Sequence, residues 1–112
     1  SEIKSKYGLF KFTPVSQIEV ECRITDDSEA MFRPAIYRIA DCNSNPETFD
    51  LKDKTPEIVV SMIGCYRNVA RQGDKIRVSG TLERVENLET GNVFHQVVVG
   101  TGLNEDEHIW PV

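Results

Sequence analysis

Strict alternation of apolar and polar residues is the feature of this sequence that most constrains its fold. It is clearest in the segment SQIEVECRI, residues 16–24. The apolar members are Ile18, Val20, Cys22 and Ile24. Because side chains two residues apart lie on the same side of an extended chain, the pattern predicts an antiparallel strand with one buried and one hydrated face. A second alternating segment, residues 35–42, places Ala35, Tyr37 and Ile39 on one face.

The middle of the chain predicts a central strand, a short helix and a further strand. Residues 57–66, EIVVSMIGCY, are apolar on both faces, which is typical of a strand buried at the centre of a fold. RNVARQG, residues 67–73, allows one or two helical turns, and Gly73 suits the left-handed position that ends a helix. Residues 74–85 then resume alternation, with Ile76, Val78, Gly80 and Leu82 expected to face inward.

The remaining segments predict strand ends and turns. YGLFKF, residues 7–12, is a candidate first strand that Pro14 would stop. Val85 falls out of the alternation, so we expect a bulge or strong coiling near Glu83–Arg84. NLETGN, residues 87–92, predicts a hairpin connection, and HIWPV at the end predicts a short edge strand or tail. Residues 43–56, with two prolines, predict a long loop.

This order of elements predicts the fold class. The order is that of an OB-fold, a five-stranded Greek-key barrel: two strands, a central strand, a short helix, a long coiled strand and its hairpin partner. We therefore expect residues 1–112 to form a single all-β domain, a small OB-like Greek-key barrel with one short helix. A small β-sandwich or another Greek-key barrel would show much the same alternation.

Composition limits the possible functions. The chain of 112 residues has the size of one domain and a net charge of −5, which disfavours nucleic-acid binding by the whole surface. It contains no apolar run long enough for a membrane span and no signal-peptide pattern. The chain has an odd number of widely spaced cysteines, Cys22, Cys42 and Cys65. This pattern predicts neither a disulfide framework nor a zinc site, and it indicates buried, inert thiols in a reducing cytoplasm.

Catalytic motifs are not found in the sequence. There is no Gly-x-Ser-x-Gly elbow and neither common glycine-rich phosphate loop. His95 falls within a predicted strand, where a packed or surface histidine is more frequent than a catalyst. NEDE, residues 104–107, is either a solvated acidic turn or a contact for a divalent metal. We accordingly assign no catalytic residue, no metal ligand and no cofactor, and we expect this chain not to be an enzyme.

Basic residues concentrate in one part of this acidic chain. Positions 60–84 contain five basic and two acidic residues. Arg67 and Arg71 would share one face of the short helix, and Lys75 and Arg77 one face of the following strand. One interpretation is a polyanion-binding patch, and the other is a solvated face whose arginines pair with Asp74, Glu83, Glu86 and the acidic tail. Base stacking would also need exposed aromatic side chains, for which the candidates are Phe32, Tyr37 and Tyr66.

Several segments of the second half carry a family resemblance. They are SMIGCYRNVAR, GDKIRVSGTLERVE, HQVVVGTG and EHIWP, and RPAIYRI also fits. In these segments the chain resembles the C-terminal region of archaeal predicted nucleotidyltransferases, whose N-terminal part is a DNA-polymerase-β-like catalytic domain. The resemblance implies an excised C-terminal domain from an archaeal cytoplasm that acts as a non-catalytic accessory or substrate-recognition module.

The resemblance transfers no catalytic residue. The family's Gly-Ser dipeptide does not occur in this sequence, and its Asp-x-Asp pair does not either. The expected partners are the catalytic domain in cis, possible nucleic acid and a possible second copy of the chain, with no membrane. The alternative is a structural domain that docks on the catalytic domain or dimerises and binds no nucleic acid.

Overall fold

The computed structural model describes residues 2–5, 8–30, 34–44, 51, 53–62, 71–100 and 107–112. Seven strands occupy most of these residues. They are β1 (Glu2–Ser5), β2 (Gly8–Glu29), β3 (Ala35–Ser44), β4 (Pro56–Ser61), β5 (Lys75–Asn87), β6 (Val93–Val99) and β7 (His108–Pro111). The predicted all-β class is therefore confirmed. Within the described ranges, no helix has the length and apolar character needed to cross a membrane.

The strands form one sheet whose hydrogen bonding closes on itself. Its order is β1-β2-β3-β4-β6-β5-β7, and β2 also pairs with β5. The strands β2, β3, β4, β6 and β5 thus form a ring, while β1 and β7 extend it. The β4–β6 pair is parallel, and the other pairs are antiparallel.

The interior of the ring holds the apolar faces that the alternation predicts. Ile18, Val20, Cys22 and Ile24 of β2 are at most 6% exposed. Tyr37 of β3 and Leu82 of β5 are completely buried. Burial of one such apolar side chain stabilises a fold by about 1.5–3 kcal/mol, so these residues hold the strands together.

Pro14 does not end the first strand, and that prediction was wrong. β2 runs without interruption from Gly8 to Glu29. Opposite it on β5, Pro14 pairs with Glu83 and Ser16 pairs with Leu82, which leaves Val15 as an extra residue. The missing N–H of proline is tolerated here because a bulge already interrupts the ladder. The irregularity expected near Glu83–Arg84 is therefore present, but its extra residue belongs to the partner strand β2.

Gly80 lies where β5 changes partners. On one side of this glycine Ser79 pairs with His108 of β7, and on the other Thr81 pairs with Val98 of β6. A Cβ atom at position 80 would lie 2.5 Å from the carbonyl oxygen of Val98. Only glycine permits this approach of two backbones, which accounts for the mid-strand glycine of the sequence.

The turn after β5 matches its prediction, whereas residues 71–73 before β5, which the sequence assigned to the end of a short helix, form a turn. The β5–β6 connection is the predicted hairpin, in which the Gly91 N–H donates to the Asn87 carbonyl at 2.7 Å. Gly73 has a positive φ of 94°. Residues 67–70 of the predicted helix lie outside the described residues, as do positions 45–50 of the predicted loop.

Candidate polyanion-binding face

Three of the four basic residues predicted to bind a polyanion lie around the start of β5. Arg67 lies outside the described residues. Arg71 is exposed in the turn before β5, Lys75 is the first residue of that strand, and Arg77 follows two positions later. The backbone of β5 therefore directs Lys75 and Arg77 to the same side, as predicted.

The turn that carries Arg71 is fixed against β2. The Arg71 N–H donates to a side-chain oxygen of Asp74 at 2.9 Å, and the Asp74 N–H donates to the Arg71 carbonyl at 2.9 Å. The next two N–H groups donate to β2, from Gln72 to Asp27 and from Gly73 to Ile24. The turn is thus held in one conformation, and Arg71 leaves it on the exposed side.

Arg77 is the best-defined cation of this face, and it is already paired. Its guanidinium lies 3.3 Å from a carboxylate oxygen of Glu21 and 3.9 Å from one of Glu19. These side chains are 40%, 38% and 60% exposed, respectively. Ion pairs this hydrated contribute about 0.2–1 kcal/mol each, so a polyanion can displace them at small cost. Arg77 is thus paired with carboxylates, but they belong to β2 and are not among the partners expected from the sequence.

Lys75 has a different environment. The residue paired with Lys75 in the β2–β5 ladder is Arg23. The Arg23 guanidinium forms an ion pair with Asp41 at a nitrogen–oxygen distance of 2.9 Å. In the described part of the chain, no carboxylate lies within ion-pair distance of the Lys75 ammonium group. Lys75 is exposed, so its charge is available to an anion in solution.

The structure adds an aromatic residue that the sequence reasoning missed. In the β5–β7 ladder Trp110 lies directly opposite Arg77, and His108 lies opposite Ser79. Trp110 is 46% exposed, and its ring centroid is 3.6 Å from that of His108. Directly opposed residues share a sheet face, so β2, β5 and β7 contribute one continuous row, Glu21, Arg77 and Trp110.

The aromatic residues proposed from the sequence do not form this face. Tyr37 is completely buried in the core and cannot stack on a base. Phe32 and Tyr66 lie outside the described residues. The signal for Trp110 was present in HIWP, where His108 and Trp110 alternate with the apolar Ile109, which is indeed buried. The strand was predicted, but its partner was not.

Glu107 differs from the solvated carboxylate considered from the sequence. It is only 7% exposed. Its Oε2 accepts hydrogen bonds from the Thr81 hydroxyl at 2.9 Å and from Gln17 Nε2 at 3.1 Å, while its Oε1 accepts from the Gly100 N–H at 3.1 Å. This carboxylate connects the start of β7 to β2, to β5 and to the residue after β6. It therefore positions the strand that carries Trp110.

His95 is a largely buried residue of the sheet. It lies in the middle of β6 and is 8% exposed. Burial, followed by the nearby charges of Arg84 and Lys54, lowers its pKa below 6.5. The imidazole is therefore neutral at neutral pH. In the described ranges, His, Cys, Asp and Glu residues form no group of three that could bind a metal ion.

Comparison with known proteins yields one informative similarity. An uncharacterised protein of Methanocaldococcus jannaschii, MJ1086, is 31% identical to this chain over 100 residues. The match covers 89% of this chain and 26% of the relative, so the chain spans about a quarter of the relative's length. No protein-family model matches the chain. No solved structure matches it either.

Proposed function

We propose that the chain is an OB-like Greek-key barrel that binds a polyanion through its β2–β5–β7 face. The closed ring of five strands supports the fold assignment, because an OB-fold is a five-stranded Greek-key barrel. In this proposal the face consists of the cations Arg71, Lys75 and Arg77 together with Trp110. Arg67, which the sequence also indicates, is a further candidate and lies outside the described residues.

A single observation carries this function, namely the opposition of Arg77 and Trp110 in the β5–β7 ladder. Single-stranded nucleic acids bind to faces that offer both cations for phosphates and aromatic rings on which bases stack. Trp110 supplies an exposed ring beside the cations. A phosphorylated substrate without bases would use the cations alone.

We further propose that the chain acts as one domain of a longer protein. The resemblance to archaeal predicted nucleotidyltransferases favours a non-catalytic accessory or substrate-recognition domain in a cytoplasmic protein. The catalytic domain would then be its partner in cis. The 26% share of the relative's length supports a role inside a longer chain.

A fluorescence titration tests polyanion binding. The chain contains one tryptophan, so its emission reports on Trp110 alone. We expect a single-stranded oligonucleotide to quench this emission, and we expect the affinity to fall steeply as salt is added because phosphate binding releases counterions. Heparin has charge but no bases. Its binding should weaken with salt in the same way, but it should not quench the Trp110 emission to a comparable degree.

Charge-reversal variants locate the face. The double variant Arg71→Glu, Arg77→Glu should weaken binding about equally for all base sequences and reduce the salt dependence. Arg84→Glu is the matched control, because Arg84 lies on the same strand but pairs with Glu86 at 3.1 Å, away from Trp110. Absent binding, or binding that does not depend on salt, would refute the proposal.

Docking is the second candidate, and the exposed apolar residues of the C-terminal strand favour it. β7 ends the sheet order, and Trp110 and Val112 next to it are 46% and 57% exposed. An edge strand of this kind can pair with a catalytic domain or a second copy of the chain. Sedimentation analysis of the wild type and of Trp110→Ser distinguishes the two roles. A dimer that the substitution dissociates would support docking.

A further inference from the structure

Cys22 and Cys42 face one another across the β2–β3 ladder because of a bulge. Glu21 pairs with Asn43 and Arg23 pairs with Ala40, so the single residue Cys22 lies opposite two residues of β3. These two residues are Asp41 and Cys42, and Asp41 has a positive φ of 55°. Such a bulge redirects the side chains that follow it.

The redirection is visible in the burial of β3. Before the bulge the odd-numbered residues Ala35, Tyr37 and Ile39 face the core. After it the even-numbered Cys42 is half-buried and packs against the core, while Asp41 and Asn43 are exposed. Without the extra residue, Cys42 would point away from Cys22. The bulge thus brings two sulfur atoms together inside the protein.

We propose that Cys22 and Cys42 form a reversible cross-strand disulfide, a modification site that reacts with low-molecular-weight disulfides. Cys22 lies across the bulge from Cys42, on neighbouring strands, which in a sheet are about 4.7–4.9 Å apart. Disulfides span Cα distances of about 4.4–6.8 Å, so the ladder need not open. Cys22 is completely buried and Cys42 is half-buried, so Cys42 is the thiol that meets the reagent.

The contacts of the two thiols agree with this order of reaction. A hydrogen bond from the Cys22 thiol lowers the pKa of Cys42. The same hydrogen bond, and then burial, raise the pKa of Cys22. The Cys42 sulfur is also 3.6 Å from the Pro56 carbonyl oxygen, to which its S–H donates. Because Cys22 is completely buried and Cys42 is half-buried, only Cys42 is open to a reagent, which makes Cys42 the nucleophile and Cys22 the resolving thiol.

The reaction has two exchange steps. The Cys42 thiolate attacks one sulfur of a small disulfide R–S–S–R, forming a mixed disulfide and expelling R–S⁻. The Cys22 sulfur then attacks the Cys42 sulfur and expels the second R–S⁻, which takes up the Cys22 proton as it leaves. Two protein thiols are oxidised to one disulfide, and R–S–S–R is reduced to two R–SH, which take up the two protons.

Peptide mapping of the complete chain tests this proposal without any substitution. The folded protein is equilibrated with mixtures of reduced and oxidised glutathione, quenched with acid, alkylated and digested with trypsin. Trypsin places the three cysteines in separate peptides, residues 12–23, 39–52 and 55–67. We expect a disulfide between the first two peptides, lost on addition of reductant, and a mixed disulfide at Cys42 as its precursor.

Two variants sharpen the test. Cys65→Ser should leave the linkage unchanged, and Cys42→Ala should abolish it while circular dichroism shows that the fold is retained. A linkage that involves Cys65 would overturn the proposal. So would a mixed disulfide at Cys42 that Cys22 never resolves, or folded-state thiols that stay reduced where the urea-unfolded chain is oxidised.

Discussion

Replacement of Glu107 by alanine removes the carboxylate that connects β7 to the ring of strands. The Thr81 hydroxyl and the Gly100 N–H each lose the acceptor that Glu107 provides. Thr81 is 4% exposed, and water cannot easily replace its partner. A buried donor left unsatisfied costs about 1–3 kcal/mol, and the half-buried Gly100 N–H can bond to water in part, so we expect a loss of about 1–3 kcal/mol in the free energy of unfolding, mainly from Thr81. Gln17 is exposed and can bond to water instead, so the loss of this acceptor costs it little.

Urea unfolding, followed by far-ultraviolet circular dichroism and by Trp110 fluorescence, measures this loss. The domain as a whole should have about 5–15 kcal/mol of stability, so the expected change is a large fraction of the total. Glu89→Ala in the exposed β5–β6 turn is the matched control and should stay within about 0.5 kcal/mol of wild type. If Glu107→Ala were as stable as this control, the inferred role of the buried carboxylate would be wrong.

Two further predictions concern β5 and β6. Gly80→Ala should destabilise the fold by about 1–3 kcal/mol or more, because the new Cβ would collide with the Val98 carbonyl oxygen. In the same urea experiment the neighbouring Ser79→Ala should have little effect. The pKa of His95 is lowered below 6.5, first by burial and then by Arg84, so the unfolded chain takes up this proton first as the pH falls. His95 therefore contributes stability in full above pH 6.5. This contribution is lost as the pH falls from 6.5 through the lower pKa of the folded state. His95→Gln should remove this part of the pH dependence, and an unchanged profile would contradict the assignment.

The core could be predicted from the sequence because alternation is a local property. Ile18, Val20 and Cys22 need only an extended backbone to share a face, whatever the partner strand is. The same reasoning failed at Pro14, because tolerance of proline depends on the bulge that Val15 forms opposite β5. No pattern within residues 7–15 shows which strand will lie across from them.

The candidate site was predictable only in part for the same reason. The shared orientation of Lys75 and Arg77 follows from their spacing of two residues. The neighbours of Arg77 do not follow, because they depend on long-range register with β2 and β7. Glu21 and Trp110 are 56 and 33 positions away from Arg77 in the sequence, and a slip of one residue in either ladder would point them to the other face.

The acidic row on β2 constrains how this face can bind a polyanion. Glu19 and Glu21 lie within 4 Å of the Arg77 guanidinium, so an incoming phosphate must replace two carboxylates before it gains that cation. Each exposed pair contributes about 0.2–1 kcal/mol, and the exchange of one anion for another therefore yields little net free energy. Stacking of a base on an aromatic ring contributes about 1–3 kcal/mol and is not opposed by the carboxylates. Trp110 should therefore supply a large share of the affinity for nucleic acid, and the face should favour single strands with unstacked bases over duplexes or simple phosphates.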